Sequence, residues 1–478
     1  MGRYVPEFLP GSHRPAPVPT DSQAPRTAET DASVPEGGIS PRSGRLGEAL
    51  LVVVFAAVAL AIVLTLGQVL QPRPARLDVP ERPSIAVSEF VVVSEDDTGP
   101  RSVAGLAIEL VTDLRLFENL DAVYWQGTSA TFDGAPLAGF QLTGIARAES
   151  GLTRVTASLR RSGSDPALWT KTLELKVGEG EQSIDETSRT FSEQLGSLRG
   201  PLHQDGLHWL ELHPDLAGNE TEYLCALLFG SYRASGRIDD AARARDCVSN
   251  LLQREPDSAL LLAMSGALLV DDLRAIQAPG NFDPEPMQQA ARLFERALAA
   301  DATSSLVWEL YAHMLENSGR FSEADAAYGS AGQLNPANLD AAAGYARMLV
   351  LAGRSAKGIS LARNAIESAL GPPAWYFAAP AMEALRSGDN YSAIAYGEQL
   401  AVTDAELGTV VATVAAHRID AKDVLNRHFV QLLDVTRFRR FGILPVLRQR
   451  IRDTVLVDQI GKELEAAGVT LAALSGRF

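Results

Sequence analysis

One recurring spacing limits what this chain can fold into more than its overall composition does. Trp308, Tyr311, Ala312 and Leu315 fall at helical intervals, Gly319-Arg320-Phe321 interrupts them, Ala324, Tyr328 and Ala331 resume the pattern, and Pro336 ends it. One period later, at about 34 residues, Tyr345, Ala346, Leu349, Gly353, Ala362 and Ala365 reproduce the order, with Gly358 in place of alanine. A unit of this length is a helix-turn-helix hairpin whose small residues let its two helices approach. Alone it cannot bury its apolar face, so copies must stack. Partial copies flank the clear ones. Tyr232, Gly236 and Ala241 mark an early one and Gly388 and Ala393 a late one. Between them Leu262, Gly266 and Leu269 predict a first helix and Ala290, Phe294 and Ala297 a second, separated by an insert from about Asp271 to Pro286. Five units are expected.

The order of these residues matches the tetratricopeptide repeat, which implies an α-solenoid over 219–405 whose first helices line a concave groove. Helical phase assigns Glu309, His313, Glu316 and Asn317 to that groove, with Asp340, Arg347 and Val350 from the next unit. Such a groove is expected to take an extended peptide or a partner helix. Beyond it, 406–478 reads as a helical capping region. There Arg437, Arg439, Arg440, Arg448, Arg450 and Arg452 form a basic cluster with Phe438 and Phe441 interleaved. That cluster reads first as a solvated capping helix, with docking of an acidic partner or internal neutralisation of the acidic solenoid as alternatives.

Near the amino terminus, Ala49 to Leu66 reads ALLVVVFAAVALAIVLTL, without charge or proline. Eighteen helical residues span about 27 Å, close to the hydrocarbon thickness of a bilayer. A single transmembrane helix is expected within 47–70. The 1–46 segment holds 8 of the 26 prolines and is expected to be a disordered tail, with 71–83 as a linker. Arginines flank the apolar run on both sides, with one more on the carboxy-terminal side, so charge alone slightly favours a cytoplasmic body.

Within 84–200 the pattern is α/β. SIAVSEFVVV (84–93) reads as a buried strand, Gly105 to Leu120 as an amphipathic helix and DAVYWQ as a second strand, giving a βαβ start. QLTGIARAES, GLTRVTASLRRSG and PALWTKTLELKVG then read as three alternating strands, followed by a helix from about Ser183 to Leu198. SIAVSEF, GLAIELVTDL and this meander resemble the TolB amino-terminal-like domain of bacterial membrane-anchored regulator proteins. The Leu168-Trp169 pair is part of the likeness, while Ser88-Glu89 and Val103-Ala104-Gly105 depart from it. The resemblance implies a body on the periplasmic side of a bacterial inner membrane, and this outweighs the arginine count. Trp125 and Trp169 read as core aromatics, and the acidic turn Glu95, Asp96, Asp97 as a solvated turn.

Enzymatic signatures are missing from the sequence. It has no Walker A loop, no His-Glu-x-x-His and no Gly-x-Ser-x-Gly. His203, His208 and His213 recur at an interval that no helix or strand turns to one face, so they read as exposed linker histidines rather than metal ligands. Two cysteines exclude a disulfide scaffold. Cys225 and Cys247 read as buried apolar thiols on the two helices of the first repeat, with a disulfide as the alternative. A net charge of −16, from 43 Lys plus Arg against 59 Asp plus Glu, argues against nucleic acid as a partner.

The chain therefore reads as an α/β module and an α-solenoid behind one transmembrane helix, with no catalytic role and no cofactor. Its expected function is a membrane-anchored scaffold for protein partners. The alternative is a periplasmic sensor that binds a small ligand and relays it to a separate cytoplasmic effector.

Overall fold

A computed structural model describes residues 78–476, except 94–102, 127–130, 133–134, 137, 150–151, 165, 177–179, 217 and 280–283. The Pro-rich tail, the apolar run and the acidic turn at 95–97 lie outside the described residues. Among the described residues, no helix is long and apolar enough to cross a membrane.

The stretch read as one strand from Ser84 to Val93 is two, β1 (Ser84–Ser88) and β2 (Val91–Val93). Ile85 lies opposite Phe140, but Val91 lies opposite Ile145, so the first strand carries one residue more than its neighbour between these points. The extra residue makes a bulge at Glu89-Phe90. It buries Phe90 against Gly144, where a Cβ would sit 2.0 Å from the ring, so only glycine fits there. The helix α1 (Leu106–Leu114) then leads to β3 (Asp121–Trp125), parallel to β1 as the βαβ reading expects. After a short pair, β4 (Thr131–Phe132) and β5 (Ala135–Pro136), the meander forms from β6 (Phe140–Glu149), β7 (Leu152–Arg161) and β8 (Trp169–Lys176). The main sheet runs in the order β3-β1-β6-β7-β8, with β2 also on β6.

The next helix, α2 (Gly180–Leu195), joins α1 in covering one face of the sheet. Leu106, Leu110, Leu114, Leu142, Leu159, Phe191 and Leu195 are fully buried between these layers. Each such side chain contributes about 1.5–3 kcal/mol of transfer free energy. Trp169 belongs to this core, edge-on to Phe191 at 5.9 Å, and its indole N–H donates to Gln194 at 3.1 Å.

After α3 (Gln204–Leu212) come six helix pairs among the described residues. They are α4 (Glu222–Ser235) with α5 (Ile238–Leu252), α6 (Ala259–Ile276) with α7 (Pro284–Ala300), and α8 (Ser305–Asn317) with α9 (Phe321–Leu334). Next come α10 (Leu339–Leu351) with α11 (Ser355–Ser368), α12 (Ala378–Ser387) with α13 (Asn390–Leu400), and α14 (Ala405–Arg418) with α15 (Lys422–Asp434). Together they form a tetratricopeptide-type solenoid. Local chemistry starts the helices: Thr221, Ser258, Ser304, Asn338 and Asp404 accept a hydrogen bond from the third residue of the first helix in their pairs. A cap of this kind is worth about 1 kcal/mol. The insert expected from Asp271 is shorter than the sequence suggested, because α6 continues to Ile276. In α14, Gly408 lets the helix meet the end of α13 closely, since a Cβ there would lie 2.4 Å from the Ala401 nitrogen.

The remaining helices are α16 (Thr436–Phe441), α17 (Ile443–Arg450), α18 (Thr454–Ala466) and α19 (Leu471–Ser475). They turn back over the stack. The amides of Arg452 and Asp453 both donate to the Leu351 carbonyl, and the Arg452 guanidinium lies 4.3 Å from the centre of the Phe321 ring. Curvature also brings the turn after α4 against the turn before α14: a Cβ on Gly236 would sit 3.4 Å from Thr403 Cα.

The α/β module and the solenoid form one compact unit from Leu77 to Phe478. Asn335 donates to the Leu116 carbonyl at 3.2 Å, Gln194 to the Ser368 carbonyl at 3.0 Å, and Ser304 to the Glu118 carboxylate. Two sequence readings change here. Cys225 and Cys247 are joined in a disulfide between α4 and α5, so they are not free thiols. His203 is fully buried, not an exposed linker residue, with Nδ1 3.2 Å from the Tyr223 hydroxyl. Burial pushes its pKa down to about 4. His208 and His213 stay near Glu211 and the Trp209 carbonyl, and the three rings do not converge.

Candidate functional site

Phase assigns the groove residues to the concave side, on the first helices of the pairs. Helical period puts Glu309, His313 and Glu316 on one face of α8, and Asp340 and Arg347 on one face of α10. Those side chains do not stand free, however. Each is paired with another side chain of the chain.

Glu309 is 2% exposed and ion-paired with Arg233 of α4, and it also accepts from Asn338 at 3.3 Å. Asp340 accepts from Arg199 at 2.7 Å and from the Tyr376 hydroxyl at 2.5 Å. Burial opposes ionisation of Asp340, but the guanidinia of Arg199 and Arg233 outweigh it and hold the carboxyl well below the usual carboxylate range. Glu316 pairs with Arg347 at 2.7 Å and accepts from Tyr328 at 3.2 Å. Its pKa is lowered too, with burial again overcome by Arg347 and His313. His313 bridges Asp271 at 3.3 Å and Arg347 at 3.2 Å, and Asn317 donates to the His313 carbonyl at 2.8 Å. Val350 is a correction of a different kind. Three residues past Arg347 the helix has turned about 60° off that face. Val350 is therefore fully buried towards α11, where a Cβ on Gly358 would meet its Cγ2 at 2.7 Å.

The arginine cluster of the capping region also divides. Arg437 and Arg450 point inward and neutralise the solenoid's own carboxylates, which was one of the alternatives. Arg437 contacts Glu406 at 3.0 Å and Gln449 at 2.7 Å, and Arg450 pairs with Asp404 and Glu406. Burial disfavours the charged forms of Asp404 and Glu406, yet Arg450 keeps both carboxyls below their ordinary range. Arg439 and Arg448 are exposed and pair with Asp434 and Asp458, while Arg440 lies over Phe441 and Arg452 over Phe321. The six arginines do not form one basic patch.

Sequence reasoning missed the partners that fill the groove. Arg199 comes from the linker after the α/β module, Arg233 from the first repeat, and Trp375 and Tyr376 from the turn before α12. Arg233 lies 5.2 Å from the centre of the Trp375 ring. Arg274 was hidden in the stretch read as an insert. The apolar spacing of Leu269, Val270 and Leu273 was the available signal that α6 continues past Asp271. Among the described residues, no group of three His, Cys, Asp or Glu side chains is arranged to hold a metal ion.

No protein-family model matches the chain. No curated protein matches it. Solved structures similar to it include Pseudomonas aeruginosa PilF, 15% identical over 46% of this chain and 93% of that one, with a TM-score of 0.33. The Cut9–Hcn1 hetero-tetramer of APC/C is 14% identical over 62% of this chain and 63% of that one, with a TM-score of 0.39. A monomeric IFIT1 mutant with Gppp-AAAA is 12% identical over 61% and 70%, with a TM-score of 0.36. This chain thus spans less than two thirds of the length of the Cut9–Hcn1 chain it matches. The helix-pair architecture is defined by the pairing described above.

Proposed function

We propose that this protein is a membrane-anchored, non-enzymatic scaffold that holds protein partners on a rigid body outside the cytoplasmic membrane. The observation that carries this reading is the joining of the α/β module to the solenoid by the Gln194–Ser368, Glu118–Ser304 and Leu116–Asn335 hydrogen bonds. A partner docking on either part meets a surface already ordered, so less conformational entropy is lost on binding. With the groove residues paired internally, the uncovered face of the sheet is the surface we assign to partners. Val91, Val93 and Ile145 are 62%, 54% and 43% exposed there, and Thr143, Thr156 and Arg154 lie on the same face. An apolar centre with a polar rim suits a protein partner. The apolar run 49–66 supports the anchor, and the TolB-like pattern supports the periplasmic side. The Cys225–Cys247 disulfide supports an oxidising compartment.

Two experiments test this. A reporter active only in the periplasm, fused after Phe478, should be active, and activity of a cytoplasm-only reporter instead would reverse the orientation. A photo-cross-linker at Ile145 should trap a discrete protein in cells, and one at the exposed Tyr391 should not. Equal trapping at both positions would remove the sheet face from the proposal.

A further inference from the structure

Internal pairing does not fill the concave side. A cleft of about 480 Å³ remains between α4, α6 and the turn before α14, and its size is in the range of small-molecule sites. Four arginines on or beside it are in contact with carboxylates: Arg233 with Glu309, Arg347 with Glu316, Arg437 with Glu406, and Arg450 with Asp404. Arg274 differs. It borders this cleft and the small cavity adjoining it, and among the described residues it makes no hydrogen bond or ion pair. Asp271, Asp404 and Glu406 act on it electrostatically, without a hydrogen bond or ion pair.

The carboxylates of the wall are already engaged. Asp271 takes bonds from Tyr232 and His313, while Asp404 and Glu406 take theirs from Arg450 and Arg437. Donors are left over. Besides the five N–H groups of Arg274, the indole N–H of Trp375, Nε of Arg437 and the Thr403 hydroxyl, which can donate or accept, are buried without a partner among the described residues, and all three residues line the cleft. Phe229 and Leu310 supply apolar wall. A lining whose spare N–H donors outnumber its spare side-chain acceptors favours a ligand that accepts and disfavours one that only donates.

We infer that this cleft binds a small organic anion, its carboxylate on Arg274 and its apolar body against Phe229 and Leu310. The site is separate from the sheet face assigned to protein partners and does not depend on it.

Three probes of one shape decide the point: phenylacetate, 2-phenylethanol and 2-phenylethylamine, titrated calorimetrically into the full-length protein in nanodiscs. Phenylacetate should bind saturably at one site, with the neutral alcohol at least about tenfold weaker and the amine weaker still. Arg274→Gln should weaken phenylacetate by about tenfold or more and leave the alcohol unchanged. The comparison of probes on the unmodified protein holds even if that variant fails to fold. No saturable phenylacetate binding up to about 10 mM would overturn the inference. So would equal binding of all three probes, or undiminished phenylacetate binding by a folded Arg274→Gln variant.

Discussion

Arginine–carboxylate pairs occur on both sides of the helical stack, and water treats them differently. On the concave side, the side chains of Arg347 and Glu316 are 13% and 12% exposed, and those of Arg450 and Asp404 8% and 12%. On the outside, Arg320 and Glu323 are 45% and 56% exposed, and Arg448 and Asp458 54% and 61%. An outer pair that loses one member is rehydrated, so it is worth little. A concave pair that loses one member leaves a charge that water reaches poorly. The outer pairs decorate the surface. The concave pairs hold segments distant in sequence together, and they decide how far the solenoid closes.

The largest expected effect comes from cutting a concave pair. Arg450→Met leaves Asp404 unpaired and should cost about 3–5 kcal/mol, seen as a lower urea midpoint at unchanged slope. A loss under about 1 kcal/mol would mean that the concave pairs behave like outer ones.

Next is the buried His203. His203 has a folded pKa of about 4, below its unfolded value, so the folded state favours its neutral form. Its contribution is complete above about pH 6.5 and is lost as the pH falls towards 4, amounting to about 3 kcal/mol. His203→Gln should flatten the stability profile across that window, read as urea midpoints at several pH values, and an unchanged profile would mean that burial of His203 carries no such cost. Asp340 and Asp404 follow the same sign at lower pH. Their depressed carboxyls stabilise the fold above the ordinary aspartate pKa, and that support is lost only below about pH 4. Acid unfolding should therefore show the His203 loss first.

The disulfide closes a sequence separation of 22 residues. Its reduction should remove about 3 kcal/mol, measured as a thiol-dependent drop in melting temperature. A protein unaffected by reductant would show that packing of α4 on α5 holds the first repeat without it. The smallest effect belongs to the outer surface. Arg448→Ala should stay within about 0.5 kcal/mol of the parent in the same urea assay, and a larger loss would erase the distinction between the two sides.

Much of this architecture was readable from local signals. The spacing from Trp308 to Pro336 defines a helical hairpin within itself, and the cap Ser304 recurs as Asn338 one period on. The βαβ start and the meander were readable because strand alternation is also local. The break at Glu89-Phe90 was not, because it depends on Gly144 across the sheet. The groove shows the same limit more sharply. Phase assigns Glu309, Asp340 and Arg347 to the concave face, but phase says nothing about what stands opposite. Arg199 reaches Asp340 across 141 positions, and Arg233 reaches Glu309 across 76.

What the sequence by itself determined was the set of building units: the repeat period, the helix caps, the sheet pattern and the residues facing inward. Each follows from backbone periodicity and side-chain chemistry within a few residues. Only the tertiary structure decided that the groove's carboxylates would be paired by the chain's own arginines, that two cysteines would meet, and that Arg274 would make no hydrogen bond or ion pair among the described residues. The disulfide depends on how α4 packs on α5, and the other two outcomes on the curvature accumulated over the helix pairs. Small rotations between neighbours add up along a solenoid, and no local pattern in the chain records their sum.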